Sequence, residues 1–155
     1  MKAGRIGLIE GFQDGEMRRQ ASARFTVSTP GQGFTDITES VVEFVASAGI
    51  AQGLVTVFCR HTSASLTIQE NADPDVRTDL MTALDTLAPR HAGYVHGIEG
   101  PDDMPAHIRT MVTDSGLTIP IVGGRPALGT WQGIYVIEHR DRPHRREIVL
   151  QAIGG

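Results

Sequence analysis

The stretch from Gly53 to Pro74, GLVTVFCRHTSASLTIQENADP, decides the fold. Residues 53–60 are rich in β-branched and aromatic residues and too few for a good helix, so they predict a buried strand that delivers His61 at its end. Ser65 to Gln69 predicts a second strand. Asp73 before Pro74 has the form of a helix cap with proline at the first helical position. Val76, Leu80, Leu84 and Leu87 then make an apolar stripe that ends before Pro89.

Upstream, Gln20 to Ser28 alternates, with Ala21, Ala23, Phe25 and Val27 on one side, as a half-buried strand does. Pro30, Gly31 and Gly33 end it. Asp36 and Glu39 have the spacing of a capped helix start, Ile37, Val41, Phe44, Val45 and Ala48 share a helical face, and Gly49 is a stop. Downstream, Asp103-Met104-Pro105 opens a short helix carrying His107. Leu117–Val122, Gly133–His139 and Ile148–Ile153 read as strands. Two main helices among about six strands, without βαβ alternation, predict an α+β fold, mainly an antiparallel β-sandwich. Residues 1–19 form a variable N-terminal lead and residues 20–155 a single domain, in keeping with a length of 155 residues.

Composition narrows the function. The chain is 40% hydrophobic with one cysteine, Cys59, which excludes a disulfide scaffold. The N-terminus lacks the apolar run of a secretory leader, so a cytoplasmic location is expected. No stretch approaches the ~18 apolar residues of a membrane span, and no membrane partner is expected. A net charge of −4 argues against nucleic acid. The basic residues are thirteen arginines and Lys2, and arginine's planar fork suits phosphate or carboxylate.

Four segments concentrate polar chemistry. In His61-Thr62-Ser63-Ala64-Ser65, hydroxyls and backbone N–H groups can form an anion-binding concavity, or satisfy their own strand end. Asp73 is explained as a cap, whereas Asn71, the only asparagine, suits either ligand contact or a tight turn. Tyr94 to His107 gathers His96, His107, Glu99, Asp102 and Asp103, ligand types fit for zinc, although no standard spacing such as H-E-x-x-H is met. If the chain folds back, His61 completes a three-histidine site with one open position; otherwise these are ordinary loop histidines. Gly129 and Gly133 bracket Thr130, Trp131 and Gln132, which orient a ligand or pack a core tryptophan. Arg140, Arg142, Arg145 and Arg146 read as a solvated hairpin tip or as steering for an anion.

The strings RHTSASLTIQENADPDVRTDL, GIEGPDDMPAHI, LTIPIVGGRPALGTWQGIYVIEHRD and REIVLQ, in that order, closely resemble the YjbQ-like family, also called secondary thiamine-phosphate synthases. The resemblance spans about residues 20–153. It implies a YjbQ-like sandwich fold assembled as a homotrimer. His61, His96 and His107 match the family's histidine motifs and are the implied ligands of a divalent metal, with zinc foremost. His61, Asp102 and Asp103 are the implied catalytic groups. Ser63, Ser65, Asn71, Thr130, Trp131 and Gln132 match polar positions and are the implied substrate contacts. His139 departs from the aromatic residue common at its position. The function so implied is a small-molecule enzyme acting on a phosphorylated substrate, joining a pyrimidine diphosphate to a thiazole phosphate with release of pyrophosphate. The alternative is a non-catalytic metal- or metabolite-binding protein.

Overall fold

The computed structural model describes residue 4 and residues 6–155. In chain order the elements are β1 (Arg19–Thr29), β2 (Gly33–Asp36), α1 (Thr38–Ala48), β3 (Gln52–Cys59), β4 (Ala64–Glu70), α2 (Pro74–Leu87), α3 (Asp103–Val112), β5 (Gly116–Val122), β6 (Arg125–Pro126), β7 (Gln132–Glu138) and β8 (His144–Gly154). Strands β1-β8-β3-β5-β6 form one sheet and β2-β7-β4 a second, every pair antiparallel. The α+β sandwich expected from the sequence is the fold observed.

Alternation along each strand sends every second side chain inward. Val55 and Val57 of β3, Ile119 and Ile121 of β5 and Ile148 and Leu150 of β8 meet Leu66 of β4 and Ile134 and Val136 of β7 in one core. Val41 and Val45 of α1 join them. At ~25 cal/mol per Å2 of apolar surface, this shared burial is the main force holding the two sheets together. Where β3 runs closest to β8 the sequence has Gly53, because a Cβ there would lie 2.0 Å from the Ile153 carbonyl oxygen.

Local signals behave unevenly. Asp73 caps α2 as expected, accepting the Asp75 N–H at 2.9 Å, with Pro74 opening the helix. Asp36 accepts the Thr38 N–H at 2.8 Å, but Ile37 is the N-cap residue and no capping box forms. Instead Asp36 ends β2, a short strand hidden behind the glycines read as a stop. The α2 stripe is only partly covered, and no residue of α2 is buried. Two other expectations change in extent. The helix at Asp103 runs ten residues, so the described residues hold three helices. The closing strand begins at His144, because Arg146 turns inward to a buried carboxylate and the charged run joins the sheet.

Candidate metal site at one end of the smaller sheet

Asp103 opens α3, and its carboxylate and His107 stand one turn apart on the same helical face. The preceding loop brings His96 alongside. Asp103 Oδ2 lies 2.7 Å from His96 Nε2 and 3.3 Å from His107 Nε2, and one ligand atom from each of the three lies within 4.8 Å of the others. The cluster is held from three sides. Arg140, just past β7, donates from NH1 to Asp103 Oδ1 at 2.6 Å, from Nε to Asp102 Oδ2 at 3.0 Å and from NH2 to the Glu99 carbonyl at 2.8 Å. The Asp141 N–H donates to Asp102 at 2.9 Å. His107 Nδ1 lies 2.9 Å from the Thr62 carbonyl oxygen, which can only accept, so that nitrogen carries the proton.

Burial alone pushes the Asp103 carboxyl up. The hydrogen bond from His96 and the charges of Arg140, His107 and His96 outweigh it, leaving the group below the ordinary carboxylate range. Asp102 is lowered in the same way, its burial overcome by the Asp141 N–H and Arg140. Both are therefore anions at neutral pH. A tetrahedral ion with bonds of about 2.0–2.1 Å spaces its ligands about 3.3 Å apart. Asp103 and His107 already stand at that separation, whereas His96 is closer.

The other expected site residues are placed differently. His61 does not join the cluster: its Nε2 accepts the Glu147 N–H at 2.8 Å, so that lone pair is engaged against β8. Burial is the first cause that lowers the pKa of His61, followed by the charge of Arg146. Ser65 is fully buried between Thr113 Oγ1 at 2.7 Å and His139 Nε2 at 2.8 Å, with no face to a ligand. Ser63 Oγ accepts from Arg146 NH2 at 3.0 Å. Asp102 serves Arg140 and the turn at Asp141 rather than the centre of the cluster.

Asn71, Thr130, Trp131 and Gln132 lie at the opposite end of the smaller sheet. Ala64 pairs with Glu138 at the histidine end and Glu70 with Gln132 at the other. Six steps of ~3.3 Å make these ends about 20 Å apart. There Asn71 Nδ2 donates to the Thr130 and Gln132 carbonyls at 3.3 and 3.4 Å, and Gln132 Oε1 accepts the Gly129 N–H at 2.8 Å. These amides close the turn. Trp131 is not a core residue: it is 63% exposed.

Reading the sequence missed two features. Arg140 is the clamp of the site rather than part of a solvated tip. Glu138 and Arg146 form a buried ion pair beneath it, with Thr29 Oγ1 donating to Glu138 Oε2 at 2.7 Å. The available signal was a glutamate ending the apolar run Gly133–Ile137, since an internal carboxylate needs an internal cation.

Residues 23–155 match the family described as UPF0047 protein YjbQ-like. The chain is 48% identical over 137 residues to UPF0047 protein sll1880 of Synechocystis, covering 88% of this chain and 93% of that protein. It is 41% identical over 130 residues to UPF0047 protein YjbQ of Salmonella typhimurium, covering 83% and 94%. Among solved structures, hypothetical protein APE1520 of Aeropyrum pernix superposes with a TM-score of 0.80 at 30% identity over 87% of this chain and 99% of that one. A YjbQ/UPF0047 family protein of Clostridium acetobutylicum superposes at 0.77 with 40% identity, over 83% and 97%.

Proposed function

The chain belongs to the UPF0047 YjbQ-like family, and we propose that His96, Asp103 and His107 hold a divalent metal, zinc foremost, at a site that binds and turns over a phosphorylated small molecule. The observation that carries this reading is a meeting of lone pairs. With Nδ1–H donating to the Thr62 carbonyl, the neutral form of the His107 ring turns a bare Nε2 toward the Asp103 carboxylate at 3.3 Å. A cation relieves that repulsion, either a proton on the ring or a metal ion between the groups. The Thr62 contact also fixes the ring in the tautomer a metal requires. Three ligands with an open fourth position are the pattern of catalytic rather than closed structural zinc.

Such an ion supplies positive charge where negative charge builds on a departing phosphate or pyrophosphate. A groove of about 470 Å3 beside the cluster is lined by Glu99, Asp102, Arg140 and Arg142 among others. Arg140 is engaged by carboxylates, whereas Arg142 makes no ion pair among the described residues and is the side chain placed to meet phosphate. The finer reading is thiamine-phosphate synthase-like transfer, in which a pyrimidine diphosphate is joined to a thiazole phosphate and pyrophosphate leaves. In this reading the protein works in the cytoplasm as a homotrimer. No helix among the described residues is long and apolar enough to cross a membrane.

The test is metal analysis of protein purified without chelator, followed by calorimetry of the zinc-loaded protein with thiamine phosphate and with thiamine. Bound metal, an affinity for thiamine phosphate at least about tenfold above that for thiamine, and loss of the difference in Arg142→Ala are expected. Equal affinities, or protein that neither carries nor takes up zinc, would overturn the reading. Metal-dependent phosphate binding without turnover of any phosphorylated substrate would instead favour a binding protein.

A further inference from the structure

Outside the site, two exposed apolar surfaces among the described residues lie close together. The first is the segment 6–17, IGLIEGFQDGEM, which has no regular structure and leaves Ile6, Leu8, Ile9, Phe12 and Met17 between 71% and 100% exposed. The second is the outward face of the larger sheet. There Leu54 pairs in register with Ile153, and Phe58 with Val149. Leu54 and Phe58 remain 41% and 46% exposed.

We propose that the N-terminal arm of one copy lies across the outward face of the larger sheet of a second copy. Charge favours the pairing. The arm carries Glu10, Asp14 and Glu16 and no basic residue between 6 and 17. The face presents Arg24 and Arg60, which share the single carboxylate of Glu147 and so leave a positive surplus. Area favours it as well. Ile6, Leu8, Ile9 and Phe12 with their backbone supply a substantial part of the roughly 800 Å2 per partner of a standard interface. The cleft at the root of the arm, about 580 Å3, is lined by Met17, Leu54 and Ile153, so the arm leaves its own chain at the rim of the face it matches. Residues 13–18 line that cleft together with Gln52, Gly53, Leu54 and Ile153 of their own chain, whereas Ile6, Leu8, Ile9 and Phe12 beyond it stay 85% or more exposed. An apolar strip left this open on a lone chain is unusual, and a second copy supplies the complementary face. The arm lies before residue 23, where the family match begins, so the contact belongs to this chain rather than to the shared domain.

Cysteine cross-linking in the full-length chain tests this, and the lone native thiol does not interfere because Cys59 is buried. Phe12→Cys and Leu54→Cys are made in separate chains, one enlarged by a tag, mixed, and treated with a short bifunctional maleimide. A mixed species joining one chain of each kind, at twice 16.7 kDa plus the tag, is expected. Ile9→Asp combined with Phe12→Asp should lower the assembled mass in light scattering, and high salt should weaken the association. No mixed species would overturn the proposal, whatever mass the untouched protein shows. So would a bridge confined within one chain carrying both cysteines, or an arm that docks only on lipid vesicles. None of these outcomes depends on metal or phosphate binding.

Discussion

His139 makes folding stability depend on pH in a way that can be worked out from its surroundings. The ring is fully buried, Nε2 is 2.8 Å from Ser65 Oγ, and Nδ1 has no partner among the described residues. Burial first, then the positive charge of Arg109, pushes its pKa from 6.5 down to about 4. As the pH falls, the unfolded chain takes up a proton near 6.5 while the folded chain refuses it until about 4. The stabilisation is therefore complete above about pH 6.5, is lost progressively between there and about 4, and falls no further below. At 1.36 kcal/mol per pH unit the full loss is about 3 kcal/mol, a large share of the 5–15 kcal/mol that holds a typical domain together. Urea unfolding of the wild type and His139→Phe, from about pH 7.5 to about pH 4.5, isolates the effect. His61, also lowered by burial, and the carboxylates Asp102, Asp103 and Glu138 titrate in both proteins and cancel in the difference. The wild type should lose 2–3 kcal/mol more than the variant, to within roughly 1 kcal/mol. Parallel curves would refute the reasoning and mean that His139 is charged, or partnered, in the folded protein.

Other consequences follow from the same contacts. Arg140→Met removes the group that orients Asp103 without replacing a proposed ligand, and zinc affinity by competition titration should fall about 10- to 100-fold; unchanged affinity would mean that the carboxylate needs no clamp. Arg146→Met leaves Glu138 charged and alone in the interior and should cost about 3–5 kcal/mol in chemical denaturation, most of it restored by adding Glu138→Gln. Zinc affinity should be weaker in acid, since protonated imidazole cannot ligate, and an affinity independent of pH in calorimetry would exclude His96 and His107 as ligands. Light scattering should give three times the chain mass of 16.7 kDa.

The sheets were legible because period-2 alternation is local. Ala21 to Val27 and the apolar runs in β3, β5 and β7 announce strands without help from distant residues. Asp73-Pro74 was equally plain, since a cap and a fixed φ act within one turn. What escaped was long-range. Nothing near Arg140 in sequence says that its partners are Asp102 and Asp103, 38 and 37 residues away. His96, Asp103 and His107 were each visible as candidate groups. The substitution of Asp103 for His61 as the third member depends on where β3 ends against β8, where the Glu147 N–H captures the imidazole. Ser65 illustrates the same limit: the strand's period puts it on the face opposite Leu66, and only the tertiary structure buries that face and supplies His139 and Thr113 to satisfy the hydroxyl.

The separation of the two polar ends of the smaller sheet bears on how such a site would work. His107 is tied to Thr62, and Arg140 ties the cluster to the chain just beyond β7, so Asp103 and His107 rest on a helix and two strand ends fixed by the shared core. His96 alone comes from a loop, one in which Val95 and Ile98 are exposed and Gly93 and Gly100 take positive φ. An ion bound by all three would therefore act mainly on that loop, fastening residues 93–101 over the groove beside Arg142. The hydrophobic core makes no contact that depends on the ion. Chelation should for that reason leave the cooperative unfolding of the sandwich largely intact while loosening the part of the loop around His96, short of Glu99, whose carbonyl Arg140 holds. A site built this way separates stability from ligand control, because the residues that fix its position are not those the metal would move.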